Sequence, residues 1–209
     1  MENEMLKIFD DNKTQIGIAT REEVHRLGHW HEAFHCWFIT REDDTDYIFF
    51  QLRSDMKKDY PNLLDITAAG HLLAHETVQD GIREINEELG IDVSSNELES
   101  LGVIDYCVER EDFIDKEIAN IFLYKFKQSF EDFRLQKEEV VGVFKAEFND
   151  FHDLWLGGLK EINITGFKID EWGTNALVHT IVQRNNFVPH EKSFYQNVIK
   201  MIRQKIAQY

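Results

Sequence analysis

The sequence predicts an α/β fold built on a mixed β-sheet, and three observations carry that expectation. Val78, Ile82, Ile85 and Leu89 recur at i, i+4, i+7 and i+11, the spacing of one apolar helix face. Phe194, Val198, Met201, Ile202 and Ile206 repeat that spacing near the end of the chain, where His190–Gln208 reads as a helix. The remainder holds short runs rich in β-branched and aromatic residues, and Glu117–Phe126 is largely apolar on both faces, as a central strand requires. A chain of 209 residues fits one domain with a full core, residues 1–209.

The elements follow in order. Leu6–Phe9 and Gln15–Ala19 flank the turn DDNK, giving an N-terminal hairpin over about 5–19. Thr20 with Glu23 resembles a capping box for a short helix; Ala33–Ile39 is then an apolar strand, REDDTD a turn and Tyr47–Arg53 the return strand. Leu64–Ala68 is a short strand leading into a Gly-bearing loop. Thr77 and Asp80 cap a helix over Val78–Leu89, and Gly90 supplies its left-handed stop. Gly81 costs that helix about 1 kcal/mol relative to Ala, a cost explained if a neighbour packs closely on it. Leu101–Cys107, Glu117–Phe126 and Val140–Phe144 read as strands, and Phe148–Leu156 and Glu171–Arg184 as helices. A C-terminal helical extension over about 170–209 results.

Charge and composition narrow the function. A formal net charge of −16 argues against general binding to a nucleic-acid duplex, because no basic block exists to displace its counterions. No stretch is apolar enough to span a membrane and the N-terminus does not read as a signal peptide, so a cytoplasmic protein is expected. Cys36 and Cys107 lie in strand-like segments and read as free thiols. A homodimer stays open.

The chemistry concentrates in one stretch. Glu84, Glu87 and Glu88, at i, i+3 and i+4, converge on the polar side of the predicted helix. Such a face is usually just solvated. Three carboxylates within one turn, an adjacent Arg83 and a Gly-bearing loop point instead to a hard cation, Mg2+ with Mn2+ as a substitute.

Gly70, Glu76, Arg83-Glu84-Ile85, Glu87-Glu88 and Gly90-Ile91 resemble the Nudix box, G-x5-E-x7-R-E-U-x-E-E-x-G-U with U a bulky aliphatic residue, over residues 70–91. Six residues rather than seven separate Glu76 from Arg83, which puts the placement of Glu76 in question. The resemblance implies an α/β/α sandwich around the mixed sheet, with Mg2+ held by Glu84, Glu87, Glu88 and the Gly70 carbonyl. It implies a pyrophosphohydrolase acting on a small phosphorylated substrate, such as a nucleoside diphosphate linked to another moiety X. The cation would neutralise phosphate oxygens and activate water, and Arg83 would orient a neighbouring glutamate. Glu87 or Glu88, or Glu138 or Glu139 in a later loop, are the candidate general bases. Arg53, Lys57 and Lys58 are candidate phosphate contacts, with plain solvation the equal alternative.

The runs VHRLGHWHEAFHCWF, QLRSDMKKDYP and AAGH are similar to the Nudix branch that includes type I isopentenyl-diphosphate isomerase, over about residues 20–125. That likeness implies a second metal or phosphate site made by His25, His31, His71, Asp115 and Glu117, in a stretch that also holds His29 and His35. The isomerases place a cysteine just before the Gly-His pair; here Ala69 stands there, and an alanine transfers no proton. Hydrolysis is therefore expected, with an isomerase-like enzyme and a catalytically silent nucleotide-sensing module as alternatives. Trp30, Trp37 and Tyr106 read equally as a base-stacking surface, a prenyl cover or core.

Overall fold

A computed structural model describes residues 4–110 and 113–208. Met5–Phe9 (β1) and Gln15–Thr20 (β2) form the N-terminal hairpin, whose turn is closed by the Asp10 carboxylate accepting from the Asn12 and Thr14 amides at 2.9 and 2.8 Å. Arg21–Leu27 (α1) starts on the Thr20/Glu23 capping box and stops at Gly28, which takes the left-handed conformation at φ 68°. Trp30–Glu42 (β3) and Thr45–Arg53 (β4) pair antiparallel across Asp43 and Asp44, both at positive φ, as a two-residue hairpin turn demands.

The strand expected over 64–68 divides into Leu64–Asp65 (β5), which pairs with β4, and Ala68–His71 (β6), which pairs with β3. Thr67 bridges the break: its hydroxyl donates to the Phe49 carbonyl at 2.6 Å and accepts from the Phe38 amide at 3.0 Å. The predicted helix over 78–89 also divides, into a 3-10 turn at Val78–Ile82 and an α-helix at Arg83–Leu89 (α2). Gly81 lies against the Phe34 ring, where a Cβ would come within 2.7 Å of it. That close approach accounts for the glycine.

Leu98–Arg110 (β7), Phe113–Lys125 (β8), Val140–Glu147 (β9), Phe148–Trp155 (α3), Glu161–Ile169 (β10), Asn175–Gln183 (β11) and Lys192–Ile206 (α4) complete the chain. Residues 175–183 form a strand, which corrects the helix expected over Glu171–Arg184 and shrinks the helical extension expected over 170–209 to α4. Trp172, Ala176, His179 and Val182 do fall on a helical stripe, but β10 offers a continuous antiparallel partner from Glu161↔Gln183 to Ile169↔Asn175. The long-range ladder outweighs the local pattern.

The strand path is β11-β10-β9-β4-β3-β1-β2, with β8 beside β3 and β7 beside β8. The β3–β8 ladder is parallel and the other ladders between named strands are antiparallel, so the sheet is mixed but mostly antiparallel. Side chains of β3 alternate between two cores. Phe34, Cys36 and Phe38 pack with Ile85 and Leu89 of α2. Trp37 and Ile39 share the other core with Phe151 and Trp155 of α3 and Tyr195, Val198 and Ile202 of α4. Period-two alternation along one central strand thus places the glutamate helix and the C-terminal helix on opposite faces.

Candidate active site

The acidic site forms where α2 meets β6. Glu88 is buried, and its Oε2 accepts from the Ala69 amide at 3.2 Å and Gln51 Nε2 at 3.3 Å. Glu84 lies one turn earlier beneath Gly70, where a Cβ would sit 2.2 Å from the carboxyl carbon. Any side chain at residue 70 would displace that carboxyl. Burial pushes the Glu84 carboxyl up to about 7 against the pull of Arg83, and pushes Glu88 well above the ordinary range, with Glu84 adding to the effect. Glu87 points outward, with its side chain 51% exposed.

Arg83 ties the acidic groups together. Its Nε donates to Glu76 at 2.5 Å, its Nη2 to Glu76 and to the His71 carbonyl at 3.1 Å, and its Nη1 lies 2.7 Å from Glu84 and 3.0 Å from Glu87. Glu76, in question from the short loop, is buried and held by Arg83 and by the Leu73 amide at 2.7 Å. Burial works against its ionised form, but these partners keep its carboxyl below the usual value.

A second set of donors gathers beside the same cavity, with His25, His71 and Asp115 in its lining and His31 fully buried next to them. His25, His31, His71 and Asp115 bring their ligand atoms within 4.8 Å of one another, from α1, β3, β6 and β8. His25 Nδ1 faces the Arg21 carbonyl at 2.8 Å and His31 Nδ1 the His29 carbonyl at 3.2 Å. A carbonyl only accepts, so each Nδ1 carries the proton and the Nε2 lone pair of the neutral ring points inward. Burial holds the His31 imidazole below its ordinary pKa, favouring that neutral form. Its Nε2 then faces Asp115 Oδ1 at 3.5 Å, and both buried atoms lack a hydrogen-bond partner. Two acceptors aimed at each other fit a shared cation. Glu117 stands beside this set, 3.0 Å from His35 Nε2 and 4.0 Å from His71 Nε2.

The cavity joining both sets has a volume of about 660 Å³, within the range that encloses small ligands. Of the predicted phosphate contacts, Lys57 lines it and pairs with Glu139, while Arg53 lines it but spends its guanidinium on Asp65 at 2.8 Å and the Asp59 carbonyl at 2.9 Å. Lys58 and Glu138 are exposed and lie outside the lining, whereas Glu139 is part of it. Trp37 is core, Trp30 stands outside against Asp11 and Lys13, and Tyr106 lines the wall. Sequence reading overlooked the chain from Tyr106 through His190 to Asp65, linked at 2.8 and 2.9 Å. The last link spans residues 125 positions apart, for which no local pattern exists.

No protein-family model matches the chain. It is 36% identical to an uncharacterized Nudix hydrolase of Clostridium acetobutylicum over 97% of this chain and 98% of that one. Nudix hydrolase 3 of Arabidopsis thaliana is 32% identical over 73% of this chain but only 20% of its own length. An isopentenyl-diphosphate Delta-isomerase of Mycolicibacterium vanbaalenii is 30% identical over 44% of this chain and 50% of that one, a distant likeness. Among solved structures, DR0079 of Deinococcus radiodurans superposes with a TM-score of 0.56 at 14% identity, covering 70% of this chain and 85% of that one, which bears on the fold alone. Identity at this level along nearly the whole of both the Clostridium chain and this one establishes that the chain belongs to the Nudix hydrolase family.

Proposed function

We propose that this chain hydrolyses a diphosphate linkage in a small phosphorylated substrate, with Mg2+ or Mn2+ held by Glu84, Glu87, Glu88 and the Gly70 carbonyl. The observation that carries the reading is the pair Glu84 and Glu88, two carboxyls one helical turn apart on the wall of the cavity, Glu88 buried and Glu84 largely so, with Gly70 cleared of a side chain above Glu84. A divalent cation there supplies the charge that lets both carboxyls ionise and that draws phosphate oxygens toward them. Oxygen donors fit Mg2+; the three imidazoles and Asp115 fit a borderline transition cation better.

The chain's own groups have distinct parts. Arg83 fixes the directions of Glu76, Glu84 and Glu87. Lys57 pairs with Glu139 at the wall, and in this reading Glu139, or else Glu87 or Glu88, takes a proton from the attacking water while the phosphorus–oxygen bond to the leaving group breaks. The test is phosphate release across nucleoside diphosphate derivatives, dinucleoside polyphosphates and prenyl diphosphates, with and without Mg2+. Glu87→Gln and Glu88→Gln should each lose nearly all turnover with the fold intact; unchanged turnover in both would sink the reading.

The nitrogen-rich donor set favours one second reading, an isomerase-like reaction on isopentenyl diphosphate. Ala69 and the buried Cys36, whose thiol burial pushes far up, provide no proton carrier for it. Formation of dimethylallyl diphosphate would establish that reading instead. Binding of a nucleotide with no product from any substrate would point to a sensing module.

A further inference from the structure

We propose that the chain forms a two-fold dimer in which β11 pairs antiparallel with β11 of a second copy. The strand ends the sheet path, so its outer row of amides and carbonyls meets no other strand among the described residues. Long, uncharged, apolar edges of this kind are templates for pairing unless something covers them. Here Leu177 is 70% and Ile181 57% exposed, and along the strand only Val182 is buried.

Charge permits a second copy as the occupant at this edge. Two chains of net charge −16 repel over most of their surfaces. The sequence of β11, NALVHTIVQ, carries no Lys, Arg, Asp or Glu, so like copies can meet there without opposing charges.

The strand is also complementary to itself. A two-fold axis at His179 sets Leu177 against the partner's Ile181 and Asn175 against the partner's Gln183, apolar on apolar and amide on amide. The same register carries Trp172, 81% exposed in the turn before the strand, toward the partner's residues beyond Gln183. A pocket of about 540 Å³ lies there, framed by Gly158, Leu159, Lys160, Gln183, Arg184 and Asn185. An exposed indole thus meets a recess that can cover it, beside an Arg184 already held by the Leu154 carbonyl at 2.6 Å.

Of the other long edge strands among the described residues, β7 carries Glu99, Asp105 and Glu109, and the uncharged apolar one is β2, with Ile16 and Ile18 at 55% and 52%. It has six residues against nine, and Gly17 at its centre leaves no side chain to pack there.

Light scattering on the full chain should give about twice the 24.7 kDa chain mass. Leu177→Lys with Ile181→Lys should give the single-chain mass with an unchanged circular dichroism spectrum. For the register, His179→Cys in a Cys107→Ser background should yield a disulfide-linked dimer on mild oxidation. Residues facing each other across an antiparallel pair are about 4.5–5.5 Å apart at Cα, within disulfide reach. A wild-type chain that stays single at every concentration overturns the proposal. So does a dimer that survives the double lysine substitution, or one that dissociates instead on Ile16→Lys with Ile18→Lys.

Discussion

Replacing Glu84 by Gln tests the acidic site without a substrate. In the metal-free protein the Glu84 carboxyl titrates at about 7 rather than 4.5, a difference worth about 3 kcal/mol at about 1.4 kcal/mol per pH unit. Its side chain is only 12% exposed, so solvent screening removes little of this. The folded state binds the proton more tightly than the unfolded chain. The stabilisation is therefore complete below the unfolded value and is lost as pH rises through the folded one. Between about pH 5 and 8 the wild type should lose about 2–3 kcal/mol more than Glu84→Gln, whose amide does not titrate. For a chain of this size that is roughly 5–12 °C in Tm. Glu88 is also pushed up, in part by Glu84 itself, so the difference between the two curves reads the Glu84–Glu88 pair rather than Glu84 alone. Urea denaturation with a chelator present, at fixed ionic strength, measures it. Mg2+ added at the alkaline end should restore the wild type and do much less for the variant. Parallel pH curves, or equal gains from Mg2+, would refute the reasoning.

Two further substitutions probe the frame around that site. Gly81→Ala gains about 1 kcal/mol in helix propensity but forces a Cβ to 2.7 Å from the Phe34 ring, and overpacking of that kind costs about 1–3 kcal/mol. A net loss of up to about 2 kcal/mol in urea denaturation is expected; a gain would show that Phe34 gives way freely. Arg83→Lys keeps the charge but cannot fork between Glu76, Glu84, Glu87 and the His71 carbonyl. Turnover should fall roughly 10–100-fold with the fold retained, and a wild-type rate would remove Arg83 from its orienting role.

What the sequence disclosed was local. The capping pairs Thr20/Glu23 and Thr77/Asp80 and the left-handed stop at Gly90 each depend on residues a few positions apart, and each is present in the structure. The central strands were also legible, because β3 and β8 are apolar on both sides. β11 was not, since a strand that meets the core only through Val178 and Val182 has little to impose a period of two. Its residues then match a helical stripe as well as an extended one. Nor does any local pattern join Lys57 to Glu139 or Asp65 to His190, whose separations of 82 and 125 positions are closed only by the sheet. The density of histidines from His25 to His71 hinted at the set, and the family resemblance was needed to add Asp115, far along the chain from them.

The strip Ala69-Gly70-His71 explains why the two donor sets belong to one site. The Ala69 amide donates to Glu88, Gly70 lies directly over Glu84, and the His71 carbonyl accepts from Arg83 while its ring joins His25, His31 and Asp115. Successive residues of one extended strand thus touch the oxygen donors through backbone and the nitrogen donors through a side chain. A shift of β6 by a fraction of an ångström would disturb both sets together. This also gives the alanine at residue 69 a positive role. Its backbone amide holds a buried carboxylate, and its small side chain offers the cavity neither an acid nor a nucleophile, so under the proposed hydrolysis the proton falls to Glu139 or to an α2 glutamate.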